Sequence, residues 1–232
     1  MTPETKTALP WDALGWLEFY ETRRATSEGI YPSEWFFLKN FLVEGLSVLD
    51  IGCALGGLAS VLSEHLTRFE YTGVDISERM IERAKQKHPS HRFYVIEEAD
   101  LSVLANERFD LVVCLGVLHL SRKWRALISA AWNRADVLLL DLRETAGATV
   151  EDETISYYRM DALPKTGGST HLPYNIINSG EALRTLMELC VDATGLHHHG
   201  YLARASAAAV TPIKAVMMNT YQIDKRASPA NA

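Results

Sequence analysis

A run of small residues follows an apolar segment near position 50. The sequence of residues 48–57 is Val-Leu-Asp-Ile-Gly-Cys-Ala-Leu-Gly-Gly. Small side chains between a strand and a helix let the backbone approach a ligand, and the first amides of a helix have no partner within it. The run therefore predicts a ligand-binding loop, although an ordinary tight turn also explains the glycines.

Two carboxylates follow later strands at the places where a nucleoside would be recognised. Asp75 directly follows the predicted strand 71–74 and lies nineteen residues after Gly56. A carboxylate at the end of a second strand accepts hydrogen bonds from ribose hydroxyls. Asp100 follows the third predicted strand, where it would meet an adenine amino group while Leu101 packs on the ring. Alone, Asp75 is also typical of a helix N-terminus and Asp100 of a solvated loop, so the order of the motifs carries the prediction.

Short apolar runs alternate with amphipathic segments and would position these residues. The predicted strands are 47–51, 71–74, 93–97, 111–115 and 137–142. Residues 58–66 have an apolar helical face, and Ser77 is placed to cap a helix that buries Met80 and Ala84. This alternation predicts an α/β fold with a doubly wound, mostly parallel sheet and right-handed crossovers.

The amino-terminal part predicts a helical cap. Two amphipathic stretches, 11–24 and 33–44, have apolar residues at helical spacing. They should pack on the sheet or cover the site, where Tyr20, Arg24 and Tyr31 would face a substrate.

The carboxyl-terminal part predicts an insertion and a hairpin. Residues 143–173 are polar and rich in Thr and Gly, which indicates a lid or substrate loop that includes Arg143. A helix near 181–190 precedes two strands, around 197–203 and 213–223, that would pair as an antiparallel hairpin and complete seven strands. The predicted domains are a cap at 1–45, a ligand-binding domain at 46–224 with an insertion at about 143–178, and a flexible tail at 225–232.

In their order, these motifs resemble those of the class I S-adenosylmethionine-dependent methyltransferases. The matching segments are 48–57, 73–77, 99–101 and 109–119, the last being the fourth strand and its exit loop. The resemblance covers about 46–142 and implies a Rossmann-like fold that binds S-adenosyl-L-methionine. Two features depart from the family. Ala54 stands where the family usually has its second glycine, and alanine is compatible with any negative φ at that position. Residues 132–136 lack the proline-glycine turn that often precedes strand five.

The resemblance also implies which residues bind the cofactor. Asp50 and Gly52 would hold its methionine end, and Leu115 with Gly116 would line the position of the sulfonium and methyl. The full expected set is Asp50, Gly52, Cys53, Ala54, Gly56, Asp75, Ile76, Asp100, Leu101, Leu115 and Gly116. The side chains expected at the substrate or in a lid are Tyr20, Arg24, Tyr31 and Arg143.

His119 is the candidate for a catalytic base. Methyl transfer from a sulfonium is a direct displacement, in which the enzyme mainly aligns the reacting atoms. A base helps only when the acceptor must first lose a proton, and His119 lies in the loop that leaves strand four. A packed histidine is the alternative.

Three consecutive histidines, 197–199, invite a metal-binding interpretation. Neighbouring residues of a strand alternate faces, and no acidic ligand is near in sequence. No metal site is therefore predicted.

Composition narrows the class of protein further. Hydrophobic residues make up 47% and charged residues 22% of 232 residues, as in a globular domain. The net charge of -6 disfavours binding to nucleic acid. No stretch approaches the roughly 18 apolar residues of a membrane span, and the three cysteines lack CxxC spacing. These features favour a cytoplasmic protein that does not bind nucleic acid, and they do not indicate an oligomeric state. Residues 173–176, Pro-Tyr-Asn-Ile, resemble segments of bacterial methyltransferases that act on sugars or natural products. This resemblance implies a small-molecule acceptor, such as a sugar or natural-product intermediate.

Two other functions fit parts of the sequence. Gly52, Ala54 and Gly57 fit a relaxed dinucleotide fingerprint, so an NAD(P)-dependent oxidoreductase is one alternative. Asp50 and Asp100 count against it. The other alternative is a non-catalytic protein that uses the methyltransferase fold to bind the cofactor or a partner.

Overall fold

A computed structural model of the chain describes residues 20–21, 26–159 and 171–225. The helices are α1 (Pro32–Leu38), α2 (Gly57–Ser63), α3 (Glu78–Lys87), α4 (Trp124–Trp132) and α5 (Ser179–Leu189). The strands are β1 (Leu46–Ile51), β2 (Phe69–Asp75), β3 (Arg92–Val95), β4 (Phe109–Cys114), β5 (Ala135–Thr145), β6 (Tyr157–Arg159), β7 (His171–Pro173), β8 (Ile177–Asn178), β9 (Gly195–Arg204), β10 (Ala209–Val210) and β11 (Ala215–Asp224).

The main sheet confirms the predicted fold class. Its strands lie in the order β3-β2-β1-β4-β5-β11-β9, and β8 adds a short strand beside β5. Strands β1 to β5 pair in parallel, whereas β11 is antiparallel to both β5 and β9. The order reverses at β1 and β4, and ligands bind outside the carboxyl ends of the strands at such a reversal.

Each of the five predicted parallel strands is present, with ends that differ by at most three residues. The predicted cap of α3 is confirmed, since Ser77 Oγ accepts the Met80 amide at 3.1 Å and Met80, Ile81 and Ala84 are buried. Two hydrophobic clusters cover the two faces of the main sheet, one containing Trp124 and the other Leu38.

The prediction of a loop from residue 143 was wrong in part. Strand β5 continues through Arg143 and Glu144 to Thr145. Both charged side chains are buried, and polar partners compensate for their burial. Asp141 pairs with Arg143, and Asn219 and Tyr221 donate hydrogen bonds to Glu144. Farther along, β6 pairs with β7 and β10 in a separate three-stranded sheet. Its action as a lid or substrate insertion stays a prediction.

The two termini are described only in part. The predicted helix 11–24 lies outside the described residues except for Tyr20 and Glu21, and so does Arg24. The predicted helix 33–44 is shorter than expected, because α1 is followed by a 3₁₀ turn, Lys39–Phe41. The cap at 1–45 and the flexible tail therefore stay predictions.

All three cysteines, Cys53, Cys114 and Cys190, are free and buried. No helix in the described part of the chain has the length and apolar composition needed to cross a membrane.

Candidate active site

A cleft with two adjoining lobes opens at the carboxyl ends of β1, β2 and β4. The large lobe has an empty volume of about 900 Å³ and the small lobe about 610 Å³. Both are lined by Tyr20, Gly52, Ala54 and Gly116. The turn after β1 and the turn after β4 therefore separate the lobes and contribute to each.

The lobes divide the predicted cofactor residues between them. The large lobe is lined by Asp75 and Ile76 at the end of β2, and the small lobe by Asp50, Cys53 and Leu115. Eight of the eleven predicted cofactor residues thus come together in one cleft. Gly56, Asp100 and Leu101 lie outside its lining.

Two glycines of the β1 turn have different tasks. Gly52 has a φ of +78°, and a Cβ there would lie 3.0 Å from Val117 Cβ. Gly56 has a φ of +74°, and a Cβ there would lie 2.9 Å from His88 Cδ2. Gly52 therefore lets the turn after β1 approach Val117 in the turn after β4, whereas Gly56 lets helix α2 pack against its neighbours.

Ala54 corrects the expectation of a negative φ at the second glycine position of the family. Its φ is +46°, in the left-handed region that alanine rarely adopts. Its amide donates to Asp75 Oδ2 at 3.0 Å. The backbone shape of a glycine is thus retained with alanine, at a conformational cost.

The Asp75 carboxylate is an acceptor for the protein itself. Oδ2 accepts the Ala54 amide, and Oδ1 accepts the Ser77 amide at 2.9 Å. The side chain is half-buried and still lines the large lobe. It therefore ties the β1 turn to the start of α3 at the place predicted for ribose.

The Asp50 carboxylate lies on the floor of the small lobe. It is buried, and its Oδ2 accepts the Tyr71 hydroxyl at 2.6 Å. Burial and then the Asp50 charge raise the pKa of Tyr71 well above its ordinary value, so the hydroxyl keeps its proton. Burial, with the charges of Asp75 and Asp50, also raises the pKa of the Cys53 thiol.

The predicted adenine residues are placed differently from the other motifs. Asp100 is exposed, and its Oδ1 accepts the Ser102 amide at 2.8 Å, which lowers the pKa of Asp100. Leu101 is buried in the hydrophobic core. Ile96 and Glu98 line the large lobe there, and Glu98 has a φ of +47° and forms an ion pair with Lys123. Glu98 has no motif that would have identified it.

The predicted substrate side chains also separate. Tyr20 lines both lobes, whereas Tyr31 is exposed just before the start of α1. Arg143 is buried in β5, with its guanidinium 5.9 Å from the centre of the Tyr31 ring. The lining residues outside the predicted sets are Ile30, Ile51, Leu55, Gly57, Leu58, Met80, Ile96, Glu98, Val117, Leu120, Ser121, Arg122, Leu127 and Leu172. Most are apolar and have no chemical signature.

His119 lies behind the cleft wall, outside the lining of either lobe. It is 8% exposed, and its ring meets Tyr174 edge to face with 5.7 Å between centres. The His119 carbonyl accepts the Asn175 amide at 2.8 Å. This environment supports the packed-histidine alternative.

Each of the three consecutive histidines in β9 has its own neighbour. His197 Nε2 lies 3.9 Å from Asp224 Oδ2, the His198 ring lies near Tyr221, and His199 stacks on Phe36. Among the described residues, no group of three or more His, Cys, Asp or Glu side chains is arranged to hold a metal.

Comparison with known families adds the observation that decides the kind of domain. A family profile for a methyltransferase domain matches residues 49–136, the span from the glycine loop to the start of β5. The chain contains a methyltransferase domain.

Solved structures share the fold of the chain. The N-terminal domain of EvdMO1, crystallised with S-adenosylhomocysteine (SAH), is 13% identical with a TM-score of 0.59, over 82% of this chain and 79% of that chain. YcgJ of Bacillus subtilis is 14% identical with a TM-score of 0.54, over 84% and 98%.

Curated relatives match the chain over shorter spans. The ribosomal protein L11 methyltransferase of Thermotoga petrophila is 29% identical over 120 residues, which are 50% of this chain and 45% of that protein. The malonyl-[acyl-carrier protein] O-methyltransferase of Priestia megaterium is 36% identical over 75 residues, 32% of this chain and 27% of that protein. The chain thus spans less than half the length of these relatives.

Proposed function

We propose that this methyltransferase transfers the methyl group of S-adenosylmethionine to a small-molecule acceptor. The observation that carries the proposal is the convergence of the matched segment, 49–136, on one cleft at the carboxyl ends of β1, β2 and β4. The residues present fit the cofactor. Gly52 lets the two turns that line both lobes approach each other closely, and each lobe offers a carboxylate, Asp75 or Asp50, beside apolar walls.

The two lobes suit the two ends of the cofactor. In the large lobe, Asp75 would accept the ribose hydroxyls, and Ile76, Ile96 and Leu127 would enclose the adenine. In the small lobe, Asp50 would hold the amino group of the methionine end. When bound, the cofactor supplies the methyl group and leaves as a neutral thioether.

The chain's own contribution to the reaction is alignment. Gly116 lines both lobes, so it would lie beside the join between the two ends of the cofactor. Tyr20 and Leu172 line the large lobe, where they would exclude water and orient the acceptor. No base is needed for an acceptor that is already nucleophilic.

The acceptor is proposed from the cleft and the charge of the protein. The relatives named above act on different kinds of acceptor by their names, a ribosomal protein and a carrier-bound malonyl group. The apolar mouth formed by Tyr20, Leu120 and Leu172 fits a small molecule, and the net charge of -6 disfavours nucleic acid. The EvdMO1 domain was also crystallised in the presence of D-fucose, which supports a sugar as one acceptor to try. Three free thiols favour a cytoplasmic location.

The oxidoreductase alternative is not favoured. Tyr221 and Lys225 have the Tyr-x-x-x-Lys spacing used in hydride chemistry, but both lie away from the cleft. The Tyr221 hydroxyl donates to buried Glu144, and Lys225 Nζ donates to the Trp132 carbonyl at 2.7 Å. A tyrosine and lysine so placed would not meet a nicotinamide in either lobe.

Thermal shift with two ligands tests the proposed function. A ligand that binds only the folded state stabilises it by about 2.7 kcal/mol at 100 times its Kd, which raises the Tm of a domain of this size by roughly 5 °C or more. We expect SAH to produce this shift and NADH to produce none. A shift with NADH alone would contradict the proposal.

A second test asks whether His119 is a packed residue or a catalytic base, and it uses the substitution His119→Ala. Because the ring is buried against Tyr174, His119→Ala should destabilise the protein by about 1–3 kcal/mol. We expect turnover per folded molecule to stay within about threefold of the original. The Tm and the single-turnover rate of the same preparation check both points. A roughly 100-fold slower rate with unchanged SAH affinity would instead make His119 a base.

A further inference from the structure

The turn after β4 depends on one side chain of the neighbouring strand. Gly116 has a φ of +78°, and its amide donates to Asp141 Oδ1 at 2.5 Å. Gly116 is also one of the residues that line both lobes of the cleft. The hydrogen bond therefore connects strand β5 to the wall that separates the lobes.

Asp141 is held in its charged form by its surroundings. It is 2% exposed, and its Oδ2 pairs with Arg143 Nη1, on a side chain that is also buried. Burial alone would raise the pKa of Asp141, but the charge of Arg143, the neighbouring His119 and the Gly116 amide bring it below its ordinary value. A carboxylate hydrogen bond to a backbone amide is shorter and stronger than one between neutral groups.

A buried ion pair does not by itself stabilise the folded state. Removing two charges from water is costly, and a well-packed apolar pair of similar size is often as stable or more stable. The pair between Asp141 and Arg143 therefore calls for a reason beyond folding. Its second contact, from Asp141 to Gly116, supplies one.

We propose that Asp141 is a positioning residue for methyl transfer, which with Arg143 fixes the Gly116 amide and so the turn that faces the cofactor. The pairing with Arg143 orients the carboxylate, since Oδ2 is engaged and Oδ1 is left aimed at Gly116. The guanidinium also lies 5.9 Å from the centre of the Tyr31 ring, so the pair links the start of α1 to the same turn. The role of Asp141 in methyl transfer rests on the proposed function, whereas its role in fixing the turn after β4 does not.

Two uncharged double variants separate the acceptor oxygen from the charges. Asp141→Asn with Arg143→Met keeps an oxygen at the place of Oδ1, whereas Asp141→Leu with Arg143→Met removes it. Both lack the ion pair and have similar volume, so both should fold. They differ in whether the Gly116 amide has its acceptor.

Glu144 provides a matched control in the same strand. It is buried, and it accepts hydrogen bonds from Asn219 at 2.7 Å and Tyr221 at 2.6 Å. These contacts lie between β5 and β11, away from the lining of the cleft. Glu144→Gln should therefore change stability without changing the turn.

Two measurements decide the proposal. The first measurement is amide hydrogen exchange on the free protein. We expect residues 115–121 to exchange at least tenfold faster in the double variant with Leu at position 141 than in the one with Asn. In Glu144→Gln, the exchange rates of these residues should equal those of the original protein. In calorimetry, the affinity for SAH should be about tenfold weaker with Leu than with Asn, and unchanged in Glu144→Gln. Equal exchange in the two double variants, or a matching change in the control, would overturn the proposal. If the original protein did not bind SAH, the proposed function would fail while the exchange comparison still decided the role of Asp141.

Discussion

Substitution of Asp75 by alanine should weaken the binding of SAH about 100-fold and also destabilise the free protein. Two hydrogen bonds from ribose hydroxyls to a carboxylate contribute about 1.5 kcal/mol each at the lower end of the range for charged acceptors, and about 2.7 kcal/mol is a factor of 100 in affinity. The free protein loses stability because the Ala54 and Ser77 amides lose their acceptor. Calorimetry with SAH and a denaturant titration measure the two effects.

Asp110 supplies the control for this substitution. Its Oδ2 accepts the Ser47 amide at 3.0 Å and the Ser47 hydroxyl at 2.7 Å, at the start of β4 and away from the cleft. Asp110→Ala should therefore lower stability and leave the affinity for SAH unchanged. Equal affinity in the Asp75→Ala variant and the original would remove Asp75 from the ribose site.

A methyl group added at Gly52 should abolish measurable binding of SAH, with at least a roughly 100-fold loss. The new Cβ would lie 3.0 Å from both Val117 Cβ and Cγ2, so the turn after β1 and the turn after β4 must move apart. A left-handed alanine adds about 1–2 kcal/mol of backbone strain. The expected result for Gly52→Ala is thus a less stable protein whose lobes no longer meet correctly, which calorimetry with SAH and a denaturant titration would measure.

Two further variants distinguish strain from collision. Gly45 has a φ of +85°, and a Cβ added there would have nothing within 4 Å, so Gly45→Ala should show the strain alone, with normal SAH affinity. Adding Val117→Ala to Gly52→Ala should restore part of the affinity, since it removes the contact with Val117 Cγ2 at 3.0 Å while the contact with Cβ stays. If Gly45→Ala weakened binding as much as Gly52→Ala, the steric explanation would be wrong.

Local patterns were sufficient to predict the parallel half of the fold. Helices with apolar faces that repeat at 3.6 residues follow β1, β2 and β4, and only a 3₁₀ turn, Ser102–Leu104, lies between β3 and β4. Ser77 caps α3 as its type predicts. The glycine loop and Asp75 were predictable for the same reason, since a strand, a turn and a helix follow each other directly in sequence. Each of these features is decided by a short stretch of the chain.

Features that depend on distant partners were not predictable. Arg143 and Glu144 suggest a loop because charged residues seldom occur in a central strand, and only the positions of Asp141, Asn219 and Tyr221 compensate for their burial. Likewise, β7 has only three residues and pairs with β6. The sequence around Leu172 therefore does not indicate that this side chain lines the large lobe. A single sequence does not reveal such pairings.

Some details of the site depend on backbone conformation that residue types conceal. Alanine at position 54 favours a negative φ, yet the Asp75 acceptor and the tight turn hold it at +46°. Glu98, at +47°, lines the large lobe in a segment where the sequence shows two consecutive glutamates. The motif residue Asp100 was the expected one, and its carboxylate is engaged with the Ser102 amide.

The burial of every cysteine makes the protein convenient for chemical labelling. A thiol reacts with a maleimide as the thiolate, and burial raises the pKa of Cys53, of Cys114 and, to about 12, of Cys190. At neutral pH the native protein therefore presents almost no thiolate to a reagent. A cysteine introduced at Met187, which is 63% exposed on α5, would carry a fluorophore at one defined position without prior removal of the native cysteines.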